Sequence, residues 1–269
     1  EDANIKLEHS QMRTFNIIDV YGLYTNLGLL LSEQCPHTIK AAVFEGSTKA
    51  IFKDRFEFSG SLLKQMKDVY SFLNRYNRTN SEITGLKRTD TREYPEIALR
   101  EALLNSIVHK EYSYSSSTLI SVFDDKIEIV TIGGLTKGLS EDDIMLGVSI
   151  LRNRNLANVF YRLGLVEIFG TGITRIKQLY AESLIKPEFE VSENAIKIVL
   201  PIFETNVNLT EDEKVIYKFL SKTMLKPISE IAPYVPFGKS KTTQLLKAME
   251  KKGVIAVEGK GRGTKYIIK

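Results

Sequence analysis

The segment PEIALREALLNSIVHKEY, Pro95 to Tyr112, places the tightest constraint on the fold. Ile97, Leu99, Leu103, Leu104, Ile107 and Val108 recur at helical spacing around most of its circumference, so a helix here has to be buried nearly all round. Pro95 suits its start, where the first turn needs no amide donor. The remaining face carries Glu101, Asn105 and His109 at i, i+4 and i+8, one polar stripe on one helix. Each buried polar group left without a partner costs roughly 2–7 kcal/mol, so the stripe requires protein groups, water, or a ligand with a metal.

A chain of 269 residues can hold such a helix in one medium domain and still carry a small second one. No apolar run approaches the roughly 18 residues of a membrane span, and Glu1-Asp2-Ala3 starts no signal peptide. A cytoplasmic protein with no membrane partner is expected, and the missing initial Met suggests a fragment. Cys35 is the one cysteine and reads as a small residue near the end of an apolar helix. It rules out an internal disulfide or a thiolate metal site. His9, His37 and His109 are too scattered to promise a histidine-built one.

The order of elements is that of an α+β body. Residues 1–20 carry no clear pattern and read as a lead-in, and 21–205 as the body. Tyr21 to Ser32 has helical spacing. His37 to Phe44 and Ala50 to Phe58 alternate like two strands around the turn Glu45–Thr48. Leu62 to Tyr76 is a long amphipathic helix behind Ser59-Gly60-Ser61, and Asn77 to Asp90 is a polar connection with room for an extended piece. Beyond Tyr112, Thr118 to Phe123 and Lys126 to Thr131 pair around Asp124-Asp125. Ser140 starts an acidic helix, Leu156 to Leu163 and Thr171 to Ala181 are helices, and Glu188 to Val191 with Ala195 to Leu200 close a mostly antiparallel sheet. Arg152-Asn153-Arg154-Asn155 reads as helix capping and ion pairs ahead of phosphate binding. Gly170-Thr171-Gly172 opens a helix directly, where backbone amides and the helix dipole favour an anion; alone, the motif is more often a tight turn.

ALREALLNSIVHKEYS, IEIVTIGGL and RNRNLANVFYRLGLVEIFGTGITRI, in that order, resemble the C-terminal domain family named after RecG-type ATP-dependent helicases. That family occurs in transcriptional regulators and lies within the Bergerat-fold, histidine-kinase-like ATPases. The resemblance covers about Tyr21 to Pro201 and implies a Bergerat-like α/β sandwich. It implies that Glu101 is the general base and Asn105 the magnesium ligand, with ATP as the nucleotide. Gly170, Thr171 and Gly172 match the second glycine box, and Gly133 belongs to the first; His109 joins the nucleotide-binding set. The family's first box has an Asp-x-Gly that reads the adenine amino group, where this chain has Thr131-Ile132-Gly133. Three readings stay open: a satisfied buried network with no cofactor, which is the favoured one; a retained nucleotide site; and a hydrolysing ATPase. Many family members carry a Schlafen-type, AlbA-like domain in front, which this fragment would lack.

The tail, 206–269, holds 13 Lys/Arg against 6 Asp/Glu, a balance of +7, whereas the preceding 205 residues balance at −3. A polyanionic partner should meet this end. Thr210 caps a helix through Val215, Ile216, Phe219 and Leu220; a short helix runs from Pro227 to Pro236; Ser240 to Lys252 is a third, with Leu245, Leu246 and Met249 inward and Gly253 behind it. Val254 to Val257 and Thr264 to Ile268 flank a glycine-rich loop. This is the winged helix-turn-helix order. Its third helix would enter the major groove of double-stranded DNA with Lys239, Ser240, Lys241, Thr242, Thr243, Gln244 and Lys247 outward, while Lys260 and Arg262 touch backbone or minor groove. A homodimer is expected, since such modules read paired half-sites. The whole reads as a DNA-binding transcriptional regulator with an ATPase-like sensor or assembly domain. The alternative is an ATP-hydrolysing protein or helicase accessory using Glu101, Asn105 and Gly170–Gly172. No Walker-type G-x-x-x-x-G-K-[ST] is present to drive a motor.

Overall fold

Strands with one apolar face need a helical layer to cover it, and the long apolar helices supply that layer. The computed structural model describes residues 8–84, 86–167, 170–204 and 209–268. The body contains α1 (His9–Thr14), α2 (Asn26–Leu30), β1 (Ile39–Phe44), β2 (Phe52–Phe58) and α3 (Leu62–Tyr76). There follow β3 (Thr79–Thr84), β4 (Lys87–Arg92), α4 (Glu96–Val108), β5 (Thr118–Val122) and β6 (Lys126–Ile132). It ends with α5 (Glu141–Met145), α6 (Arg154–Arg162), α7 (Gly172–Leu179), β7 (Glu188–Val191) and β8 (Ala195–Pro201).

Six strands form a mixed sheet in the order β2-β1-β5-β6-β8-β7. Only β1 and β5 are parallel, with Ile39 opposite Thr118, as the long α3–α4 crossover between them permits. The other neighbours are antiparallel. Alternate residues Ile120, Ile127, Ile129, Ile198 and Leu200 turn inward and join Val69, Leu73, Leu99, Leu103 and Phe160 in the main core. α4 packs against both α3 and α7, which explains why so much of its surface is apolar. Truncating a fully buried leucine there, such as Leu103, should cost about 2–5 kcal/mol.

Four local expectations change. Residues 9–14 form α1, a polar helix closed by a Glu8–Gln11 capping box; without an apolar stripe it gave no periodic signal. The helix expected over Tyr21–Ser32 is confined to Asn26–Leu30. Thr25 caps it through Gly28 N–H, and Gly22 at φ 83° turns the chain beforehand. Cys35 follows that helix, buried, with its thiol directed at the His37 carbonyl. The polar connection after α3 is a two-stranded hairpin, β3–β4. Finally, α4 stops at Val108, four residues before Tyr112, because Asn153 Nδ2 donates to the carbonyls of Val108 (2.8 Å) and Lys110 (2.7 Å).

After the body come α8 (Glu211–Tyr217), β9 (Lys226–Pro227), α9 (Ile228–Ile231), a 3-10 turn at Ala232–Tyr234, α10 (Lys239–Lys251), β10 (Ile255–Glu258) and β11 (Lys265–Ile268). The strand order is β10-β11-β9; the two-residue β9 is too short for any pattern to reveal. Ile216, Ile231, Leu246, Met249 and Ile255 build a second core. Thr210 closes a capping box with Glu213, and Gly253 ends α10 at φ 77°, the left-handed C′ geometry that glycine adopts without penalty. The expected boundary at Asn206 lies outside the described residues.

Glu204 joins the two cores. Its carboxylate accepts the Tyr217 hydroxyl at 2.5 Å and pairs with Lys222, while its carbonyl accepts Leu184 N–H. Ser47 Oγ, at the β1–β2 turn, meets Thr223 Oγ1 at 2.8 Å.

Candidate functional site

The polar stripe of α4 faces a cavity of about 140 Å³ lined by Glu101, Asn105, His109, Thr131, Gly133, Gly170, Thr171 and Gly172. The residues singled out on α4 and in the two glycine segments therefore meet in one place, although they lie up to 71 positions apart in sequence. Ile129, Ile196 and Ile198, from the middle of the sheet, give the cavity an apolar wall.

Close approach explains the glycines. A Cβ on Gly172, the first residue of α7, would stand 2.9 Å from Asn105 Nδ2 and 3.2 Å from Glu101 Oε2. Gly170 has φ 67°, and a side chain there would strike the Gly147 carbonyl at 2.3 Å. Only glycine lets both backbones come so near without strain.

Three buried polar atoms at this cavity have no hydrogen-bond partner: Asn105 Nδ2, Thr131 Oγ1 and Arg152 Nε. Thr131 is 6 % exposed. The rest of the Arg152 guanidinium is anchored, Nη1 to Glu111 Oε2 at 2.7 Å and Nη2 to the Gly134 carbonyl at 2.6 Å. Arg152 thus forms the expected ion pair with one N–H left over, whereas the Asn153 side chain, instead of capping the helix α6 that follows it, caps the end of α4. Of the network expected among Glu101, Asn105 and His109, Glu101 is paired and Asn105 Nδ2 has no protein partner. His109 has its pKa lowered, by burial first and by the Arg152 charge second, so it presents a neutral imidazole at neutral pH.

Glu101 is a paired carboxylate. Its Oε1 accepts Arg100 Nη1 at 2.9 Å and Arg175 Nη1 at 2.9 Å, and Arg175 Nη2 donates to Glu167 Oε2 at 2.8 Å. Sequence reasoning missed Arg175 and Arg100. Arg175 lies one turn into α7 and meets Glu101 only through tertiary packing, so no spacing rule could have found it.

The residues fit an anion better than a metal. Asn105 Nδ2 and Arg152 Nε can only donate, and Glu101 and Glu167 both already hold Arg175. Among the described residues no group of three His, Cys, Asp or Glu could hold a metal ion. A magnesium ligand at Asn105 would have to be its Oδ1, beside a Glu101 carboxylate whose Oε1 already accepts two guanidinium groups, and the general-base role of Glu101 competes with the same partners.

On α10, Lys239, Ser240, Lys241, Gln244 and Lys247 are exposed, as is Lys260 on the loop before β11. Thr242 is corrected: it is 0 % exposed and its hydroxyl donates to the Gly238 carbonyl, because position 242 shares the inward face with Leu246 and Met249. Thr243 is half-buried with its hydroxyl on the Lys239 carbonyl, and Lys241 pairs with Asp212 at 2.6 Å. The Arg262 side chain lies outside what the structure describes.

Residues 116–200 match the family model described as "Putative ATP-dependent DNA helicase recG C-terminal". This ATPase-like stretch contains Thr131, Gly133 and Gly170–Gly172, and α4 precedes it. Among solved structures, the crystal structure of the DIP2311 protein from Corynebacterium diphtheriae is similar, with TM-score 0.66 and 20 % identity over 100 % of this chain and 59 % of that one. The likeness is one of fold, and the chain spans 59 % of that protein's length. No curated protein matches the chain. Among the described residues no helix is long and apolar enough to cross a membrane.

Proposed function

We propose that the protein is a DNA-binding regulator whose ATPase-like body, residues 21–205, senses a small organic anion. The observation that carries the sensing half is the trio of unpartnered buried atoms, Asn105 Nδ2, Thr131 Oγ1 and Arg152 Nε, around one cavity. Leaving such groups without partners costs about 1–3 kcal/mol each, and a ligand rich in acceptor oxygens would remove that cost. The apolar wall suits the flat ring of a nucleotide, and α7 aims its N-terminal amides at the same space.

The output half is residues 206–269, read as a winged helix. Three helices, a three-stranded antiparallel sheet and a row of exposed lysines on α10 support that reading. Glu204 follows β8, a strand whose Ile196 and Ile198 line the cavity, and grips Tyr217 and Lys222. This gives a short physical route from ligand to DNA-binding surface. A homodimer on paired half-sites completes the proposal.

Gel retardation of random duplex DNA against salt tests the output. Binding should weaken steeply with log salt, and absence of a complex at about 50 mM salt would sink the reading.

A further inference from the structure

We infer that the cavity binds its organic anion without a divalent cation, because Arg175 and Arg100 already hold the carboxylates that a metal would need. The inference rests on the sensing half of the proposed function and adds the ligand's metal requirement.

A hard dication such as magnesium is held by oxygen ligands, usually carboxylates and water. Glu101 and Glu167 are the carboxylates lining the cavity. Arg175 bridges them, Nη1 on Glu101 Oε1 at 2.9 Å and Nη2 on Glu167 Oε2 at 2.8 Å, and Arg100 adds a second guanidinium to the same Glu101 oxygen at 2.9 Å. Glu101 is only 12 % exposed on its side chain, so little water screens a second cation beside those arginines. A dication at Asn105 would have to break these pairs or sit against like charge. Charge-assisted pairs of this geometry are the stronger class of hydrogen bond.

The unpartnered atoms point the same way. Asn105 Nδ2 and Arg152 Nε donate only, and the Thr131 hydroxyl both donates and accepts. The orphaned atoms are two donors and one hydroxyl, and each carboxylate lining the cavity already gives one oxygen to an arginine, which complements an anion and disfavours a metal. Thr131 also makes recognition tolerant of the ring, since a hydroxyl can meet either an amino group or a carbonyl.

Calorimetric titration of the whole chain with ATP and with GTP, each in EDTA and in excess magnesium, tests the inference. The dissociation constants in the two buffers should agree within about threefold. Binding that appears only with magnesium, or weakens by about tenfold or more in EDTA, overturns the inference and leaves the sensing role standing. No binding of either nucleotide in either buffer overturns both. Asn105→Asp separates the roles of that residue: it should lose at least about tenfold in EDTA, because a donor becomes a negative charge. Tighter magnesium-dependent binding by the same variant would show a metal ligand and contradict the inference. A thermal unfolding midpoint of the unliganded variant close to wild type verifies that the protein tested is folded.

Discussion

Gly172 and Asn105 are in direct apposition: a Cβ on the glycine would lie 2.9 Å from the asparagine Nδ2. Gly172→Ala should therefore fill the place where a ligand atom meets both. At the first residue of α7 alanine gains less than the roughly 1 kcal/mol of a helix interior, and Asn105 has to shift, so a modest loss of stability should accompany the change. Nucleotide affinity should fall by about tenfold or more. Calorimetry with ATP reads the loss, and unchanged affinity would mean that the ligand does not reach this corner.

The imidazoles predict an acid-side loss of stability. Burial, then Arg152, lowers the pKa of His109; burial, then Lys110, lowers that of His37. Between each folded value and the unfolded value of about 6.5, the unfolded chain binds more protons. Stability from these groups is therefore complete above about pH 6.5 and declines as pH falls through that value toward the folded pKa. Urea unfolding should give a lower midpoint at about pH 5.8 than at about pH 7.5. An equal or higher midpoint at the lower pH would contradict the burial argument.

Tyr217→Phe should loosen the joint between body and tail. The change removes the hydroxyl bonded to Glu204 Oε2 and leaves the Lys222 pair in place. The cost should be about 1–2 kcal/mol, since the acceptor is charged. Urea unfolding followed by separate probes on the two cores should show the tail transition moving first. A variant that unfolds like wild type would mean that the contact contributes nothing.

Position 242 separates stability from recognition. Thr242→Val keeps the shape and deletes a hydroxyl bonded to the Gly238 carbonyl, so DNA affinity should hold while stability drops by up to about 1 kcal/mol. Lys247→Ala, on the exposed face, should instead reduce the salt dependence of DNA binding by about one unit of slope. Anisotropy against salt distinguishes them. A DNA defect in Thr242→Val with normal stability would return that residue to the interface.

Much of the site was legible because its signals are local. The i, i+4, i+8 stripe on α4 and the glycines before α7 are patterns within one element, and each led to the same cavity. What stayed hidden is tertiary. Arg175 on α7, Arg100 beside Glu101 and the Glu204–Tyr217 contact arise from packing between elements, which no periodicity records. Thr242 was misplaced because a threonine between lysines looks polar on both sides, and only the apolar spacing to Leu246 and Met249 fixes its face. α1 and β9 escaped because one lacks an apolar stripe and the other is two residues long.

The central claim is that filling the cavity changes how the tail binds DNA. The most direct measurement is the dissociation constant for duplex DNA at fixed salt, with and without saturating ATP. Coupling energies between sites typically lie near 1–3 kcal/mol, so the constant should change by about fivefold or more. DNA affinity that stays the same when ATP is bound would contradict the account.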